Sequence, residues 1–330
     1  MFSALALRFG RGAFAICFVA AAVLTAAPRS ARADYPERPI RLIVPYPAGG
    51  PNDVIARVIG QKLTEAFAEQ VVIENRPGGS GNIAVESTAR AHPDGYTLVL
   101  PAIAYAVNPA LFSKVSYTFD QFSAVSIVTK GPLVLLAHPA LGVTSVKELI
   151  ALARQKPGKL DYASGGNGSS PHLAAEMFKQ QASVDLQHIP YKGTNDLIAD
   201  LLTGRVPIAF LSPLIAKQHV QEGRLTALGV TSPKRAAAWP DTPAIAEEGV
   251  PGYAMEAWYA VLAPKGTPKD IIDNLSGEIA RAVKKPDVKE QFAEFGNEPV
   301  GSSAAEADAY IAQEAERWGK LLRAANIRAD

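Results

Sequence analysis

The chain has 330 residues, 48% of them hydrophobic, with 33 basic residues against 32 acidic ones. So even a balance, with no basic run, argues against nucleic acid as a partner, because neutralising phosphates takes clustered Lys and Arg. The single cysteine, Cys17, lies near the N-terminus, so disulfides, thiolate catalysis and zinc–cysteine sites are excluded for the rest of the chain.

Arg8 and Arg11 precede an almost wholly apolar run from Gly12 to Ala27, and Ala31-Arg32-Ala33 offers small residues where a signal peptidase reads. This predicts a cleaved export signal over residues 1–33. The run is short for a hydrocarbon core of ~30 Å, so a membrane anchor is the weaker reading. Cys17 is not at the cleavage point, so no lipid anchor is expected. Removing the signal's four arginines and no acids leaves 29 basic and 32 acidic residues, a net charge near −3. The remaining 297 residues exceed a usual single core and predict two lobes.

Ile40 to Val44 reads as a first strand. From Asn52 to Phe67, apolar residues at Ile55, Ile59, Leu63 and Phe67 mark one face of a helix. Val71 to Ile73 and Tyr96 to Leu100 are further strands. Strand, helix and strand in alternation predict an α/β fold with parallel pairing and crossover helices. Val125 to Ala137, with Gly131-Pro132 inside it, is long enough for two strands joined at a bend. Ser145 and Glu148 form a capping box before a helix through Leu149 and Leu152. Leu160 to Ala163 is strand-like, and Ser170-Pro171 opens a helix with Leu173, Met177 and Gln181 on one face. Gln187 to Tyr191 is a strand; Thr194 caps a helix through Leu197, Leu201 and Leu202, ended by Gly204. Ile208 to Leu211 and Leu225 to Val230 are strands, and Ala257 to Leu262 returns the chain to a sheet. Thr267-Pro268 starts a helix through Ile271, Ile272, Leu275 and Ile279, and a Ser303/Glu306 capping box starts the last, to about Ala325. No internal sequence repeat is visible. Two crossings between two bodies permit lobes at 34–134 with 256–330, and at 135–255.

Three loops are built to receive an anion on backbone N–H groups. Each joins a strand to a helix start, where the first amides have no internal partner and the dipole is positive. The first runs from Pro45 to Asp53 and includes Tyr46, Pro47, Ala48, Gly49, Gly50 and Asn52. Its glycines admit close approach, Asn52 or Asp53 can cap the helix, and nine residues exceed the usual 2–6 of a βα loop. The second runs from Ser164 through Gly165, Gly168, Ser169 and Ser170 to His172; the third is Tyr191, Lys192, Gly193 and Thr194. Lys192 is the one cation in the three, either a ligand contact or a solvated side chain. Arg76 to Asn82 is a similar, weaker loop.

Nothing indicates a cofactor or a metal: the five histidines lack ligand spacing, and G-x-G-x-x-G, G-x-S-x-G and H-E-x-x-H are absent. Ser169 or Ser170 near His172 could imitate a nucleophile and base, but capping explains the serines, so a secreted hydrolase is the minor alternative. No catalytic residue is expected.

At these loops the sequence resembles the Bug family, the periplasmic substrate-binding components of tripartite tricarboxylate transporters. The resemblance rests on Tyr35-Pro36, Ile43-Val44-Pro45 with Pro47-Ala48-Gly49-Gly50 and Asp53, Glu74 to Gly78, and Pro93 to Leu98. It continues through Ser164-Gly165-Gly166 to His172-Leu173, Pro190 to Gly193, Glu247-Glu248-Gly249, Trp258 and Ala263 to Pro268. It implies a two-lobe, hinge-closing fold of the Venus-flytrap kind, each lobe a mainly parallel sheet flanked by helices. It implies a monomer that captures a small carboxylate and serves membrane permease subunits; a ligand-sensing co-receptor would bind alike, and the residues do not separate the two. Carried over, the contacts fall at Pro47 to Gly50 and Asp53, around Ser164, Gly165, Ser169 and Ser170, and near Lys192 to Thr194. The chain departs from the family at Tyr46, where phenylalanine is usual. It departs again at Pro51-Asn52, where a threonine is common, and at Pro101 to Tyr105, where hydroxyls are missing. Ala102 and Tyr105 are therefore expected to shape the cleft, with Tyr105 favouring a flat acid.

Overall fold

The computed structural model describes residues 35–324 and 326–329, the side chain of Asn195 excepted. The chain divides into two compact units, Met1–Glu37 and Arg38–Asp330. The expected export signal lies outside the described residues, and among those no helix is long and apolar enough to cross a membrane.

In the second unit, β1 (Ile40–Val44), α1 (Pro51–Phe67), β2 (Val71–Asn75), α2 (Asn82–Ala89), β3 (Thr97–Val99) and α3 (Ala104–Leu111) follow in turn. β1 pairs with β2 on one side and β3 on the other, both parallel. Its Ile40, Leu42, Ile43 and Val44 are at most 1% exposed, as expected of a strand covered on both faces. The chain then crosses through β4 (Phe122–Gly131) and β5 (Val134–Ala137), the two strands the long apolar run predicted.

A second sheet starts at β5. Around it the chain lays down α4 (Val146–Gln155), β6 (Asp161–Ser164), α5 (Ser170–Ala182), β7 (Gln187–Pro190) and α6 (Thr194–Leu202). β8 (Ile208–Leu211), α7 (Pro213–Gln221) and β9 (Thr226–Val230) complete it, in the order β7-β6-β8-β5-β9. The return strand β10 (Ala257–Pro264) rejoins the first sheet, followed by α8 (Lys269–Ala282), α9 (Pro286–Glu294), β11 (Glu298–Pro299) and α10 (Ala304–Ala324). The first sheet reads β11-β4-β10-β3-β1-β2.

The sheets are α/β and helix-flanked as expected, and each mixes antiparallel pairs with its parallel ones. β10 is antiparallel to β3 and β4, β11 to β4, and β5 to both its neighbours. β5 and β10 flank the crossings between the sheets and run against β8 and β3, the βαβ strands beside them. The parallel part is a triplet in each sheet, β2-β1-β3 and β7-β6-β8, each built as β-α-β-α-β with its middle strand laid first.

Thr231 ties the two crossings together. Its N–H donates to Leu133 O at 2.9 Å and its hydroxyl accepts from Leu133 N–H at 2.7 Å. The same hydroxyl donates to Met255 O at 2.7 Å, and the Met255 N–H returns to Thr231 O at 2.8 Å.

Candidate functional site

In open α/β sheets, ligands settle beyond the carboxyl ends of strands, at the point where strand order reverses. Both parallel triplets have such a point, between β1 and β3 and between β6 and β8, and one cavity of about 240 Å3 is lined from both. The loop after β1 contributes Tyr46, Pro47, Ala48, Gly50 and Asn52, and the segment after β3 contributes Ala102. From the second sheet come Gly165, Ser169 and Ser170 after β6, Gly193 and Thr194 after β7, and Leu211, Ser212 and Ile215 around the end of β8.

Four helices start at this cavity: α1, α5, α6 and α7. None is capped by a side chain. The expected caps fall one to three places too late in the sequence. Gly50, not Asn52 or Asp53, is the N-cap of α1; Ser169, not Ser170, is that of α5; and Gly193, not Thr194, is that of α6. The Ser169 hydroxyl donates to Gly166 O at 2.6 Å, and Asn52 donates its side-chain amide to Leu100 O at 3.4 Å. Each helix start therefore keeps donor amides for an outside partner and about half a positive charge. Among the described residues no Lys or Arg lines the cavity, and its one charged lining residue is Asp196.

Asp53 does not line the cavity; it fastens the first loop from behind. Its buried carboxylate accepts from the Gly49 N–H at 2.9 Å, from Arg57 at 2.9 and 3.0 Å, and from Asn75 at 3.0 Å. Burial alone would raise its pKa; the Arg57 hydrogen bonds, the Gly49 amide and Asn75 outweigh it and hold the carboxyl below its ordinary range. Asn75 also donates to Tyr46 O at 3.0 Å. Burial pushes the Tyr46 hydroxyl up to about 12, so it stays a neutral donor.

The second loop is fastened without charge. The buried Ser164 hydroxyl accepts from the Gly166 N–H at 3.1 Å and lies 2.6 Å from His188 Nε2. His172 Nδ1 accepts from the Gly168 N–H at 3.2 Å. Burial, with Lys179 second, holds His172 down to about 4. Burial, with His172 second, holds His188 down to about 3. Both imidazoles are neutral at neutral pH. The Ser–His contact is thus Ser164–His188, and Ser164 is wholly buried, while His172 is engaged by the loop backbone. Neither imidazole lines the cavity.

Of the other expected residues, Tyr105 is placed elsewhere: it is buried, stacked on Tyr117 at 5.4 Å and met edge-on by Phe119 and Phe122. Ala104 to Leu111 is a helix, and it turns that ring into an aromatic core. Lys192 lies on an adjoining cavity of about 550 Å3 with Gly78 to Gly81, sharing only Tyr46, Pro47 and Gly165 with the first. Gly49, Ser164, Gly168 and His172 act in the loops rather than on the cavity wall.

Sequence reasoning missed Leu133 and Tyr259 on the crossing strands, Asp196, and the β8–α7 junction. For that junction a signal existed: Ser212-Pro213 after a strand repeats Ser170-Pro171.

Two sheets joined by crossing strands, with one cavity at the strand ends of both, define a two-lobe periplasmic binding protein of α/β class. The model of the tripartite tricarboxylate transporter family receptor matches residues 55–327, and the chain belongs to that family. It is 37% identical over 309 residues to the protein BugT of Bordetella pertussis, covering 93% of this chain and 94% of that one. Among solved structures it is similar to Rpa4515 of R. palustris with adipate, at TM-score 0.86 and 35% identity over 89% of this chain and 99% of the other. MatC from Rhodopseudomonas palustris with bound malate follows at TM-score 0.82 and 28% identity, covering 87% of this chain and 100% of the other.

Proposed function

We propose that the chain is exported by cleavage of residues 1–33, captures a small carboxylate in this cavity, and delivers it to the membrane subunits of a tripartite transporter. One observation carries the reading: four uncapped helix starts meet at a cavity without a lining cation, where a carboxylate's oxygens take charge-assisted hydrogen bonds from backbone amides. Adipate in Rpa4515 and malate in MatC support the ligand class. In this reading residues 34–134 with 256–330 and residues 135–255 form two lobes, and the monomer closes because the ligand binds the closed state better. Each such hydrogen bond contributes about 1.5–3 kcal/mol, part of which offsets lost freedom.

The test is a thermal-shift screen of mono-, di- and tricarboxylates on the exported protein, followed by calorimetry. A true ligand at 100 times its Kd adds about 2.7 kcal/mol of stability. Stabilisation by a neutral sugar and by no carboxylate overturns the reading.

A further inference from the structure

The three strands β7, β6 and β8 lie side by side and parallel, so the junctions after them stand in a row. With strands about 4.8 Å apart, that row spans roughly 10 Å, several times the width of one carboxylate. Its two ends differ. At the β7 end the first turn of α6 carries Asp196, which repels an anion. At the β8 end stands Ser212, flanked along the cavity wall by Leu211, Ile215 and Leu133.

Ser212 is 8% exposed, and its Oγ has no hydrogen-bond partner in the protein. It is not used as a cap: the Ile215 and Ala216 amides both go to the Ser212 carbonyl, at 3.1 and 3.0 Å, and Pro213 offers no N–H. A buried hydroxyl without a partner is costly to the fold, and such groups call for an external one.

Resting on the reading that a carboxylate occupies the cavity, we propose that Ser212 is a second ligand anchor and that the solute is elongated. One carboxylate sits on the α1 and α5 starts. A short apolar body lies against Leu133, Leu211 and Ile215. A second acceptor oxygen, from a carboxylate or a carbonyl, takes the Ser212 hydroxyl.

The experiment is calorimetry with the straight-chain dicarboxylates from succinate to suberate and the monocarboxylates of the same lengths, on the wild-type chain, Ser212→Ala and Ser212→Thr. The best dicarboxylate should bind the wild type at least about tenfold more tightly than its monocarboxylate. Ser212→Ala should bring that ratio close to one, Ser212→Thr should restore it, and monocarboxylate affinity should be equal in all three. The proposal is overturned if the wild type shows no dicarboxylate preference, if the ratio survives Ser212→Ala, or if the ligand-free Ala variant melts lower, which would make the hydroxyl structural. If no carboxylate of either series binds, the carboxylate-receptor reading itself fails, and this inference with it.

Discussion

In the proposed reading the loops after β1 and after β6 share one task, to aim free amides into one cavity, and the structure holds them by opposite means. The first is pinned by an ionised carboxylate, Asp53, whose charge is already taken up by Arg57, Asn75 and the Gly49 amide. The second is pinned by neutral groups, Ser164 with His188 and His172 with Gly168. The contrast teaches that an anion site does not need a cation facing it. It needs amides that cannot turn away, and either a satisfied charge or a desolvated imidazole can hold them.

The sharpest way to break the comparison is Gly50→Asp. Gly50 has φ −81° and ψ 170°, ordinary N-cap geometry, and an added Cβ would meet only Pro47 O at 3.6 Å. Aspartate there caps α1 and places a carboxylate where the ligand's belongs. Affinity should fall at least about a hundredfold, while the ligand-free protein keeps its stability or gains a few tenths of a kcal/mol. Calorimetry beside thermal melting reads both; a variant that binds normally removes the first loop from the site.

Asp53→Ala comes next. It deletes the pin and leaves the Gly49 N–H unpaired, with Arg57 free to hydrate because its side chain is 56% exposed. Denaturant unfolding should show a loss of about 2–3 kcal/mol, and affinity should drop about tenfold. Unchanged affinity would separate the pin from the amides it holds.

Acid should part the two loops. His172, with an ordinary value of 6.5 and a folded value of about 4, is neutral in the fold and more readily protonated when unfolded. Its share of stability is complete above about 6.5 and is lost as pH falls towards 4. His188 behaves alike with its lower limit about 3, though it is only partly buried and solvent screening reduces its part. Asp53 is lowered, so its contribution persists to below the ordinary carboxylate range. Hydrogen exchange between pH 6.5 and 4.5 should therefore rise first over residues 164–170, with residues 45–53 still protected. The reverse order would refute this account of the two pins.

The smallest effect is expected at Gly193, where the loop after β7 meets the loop after β1. An added Cβ would meet Pro47 Cγ at 3.2 Å, and φ 169° is open to any residue. Gly193→Ala should weaken ligand binding a few-fold without lowering the melting temperature, as read by calorimetry and melting together.

Much of this was legible in the sequence, and the failures have physical causes. The strands β1, β2 and β8 announce themselves as β-branched or apolar runs. The Ser303/Glu306 box is present in full, with Ser303 N–H to Glu306 at 2.8 Å and Glu306 N–H to Ser303 at 3.3 Å. α3 was invisible because six of its eight residues are buried and Pro109 lies inside it, leaving no polar face to give a period. Tyr105 was misplaced with it. The direction of the crossing strands was unreadable because apolar runs look the same either way. The helix starts were set one to three residues late because a polar side chain near the start was assumed to cap, where Gly50, Ser169 and Gly193 hold the N-cap positions. The two βαβαβ triplets share no overall sequence repeat, so Ser212-Pro213, though it repeats the Ser170-Pro171 pair, was not read as the counterpart of the segment after β3.

Thr231 has one more consequence. Because a single side chain and its own backbone hold both strands that pass between the sheets, neither strand can bend or slip without pulling the other. Any turning of one sheet against the other, as the proposed closure requires, would therefore run on one axle rather than two loose straps. Valine in that place, matching threonine in shape but mute in hydrogen bonding, would leave the Leu133 amide and the Met255 carbonyl facing a methyl group and uncouple the pair.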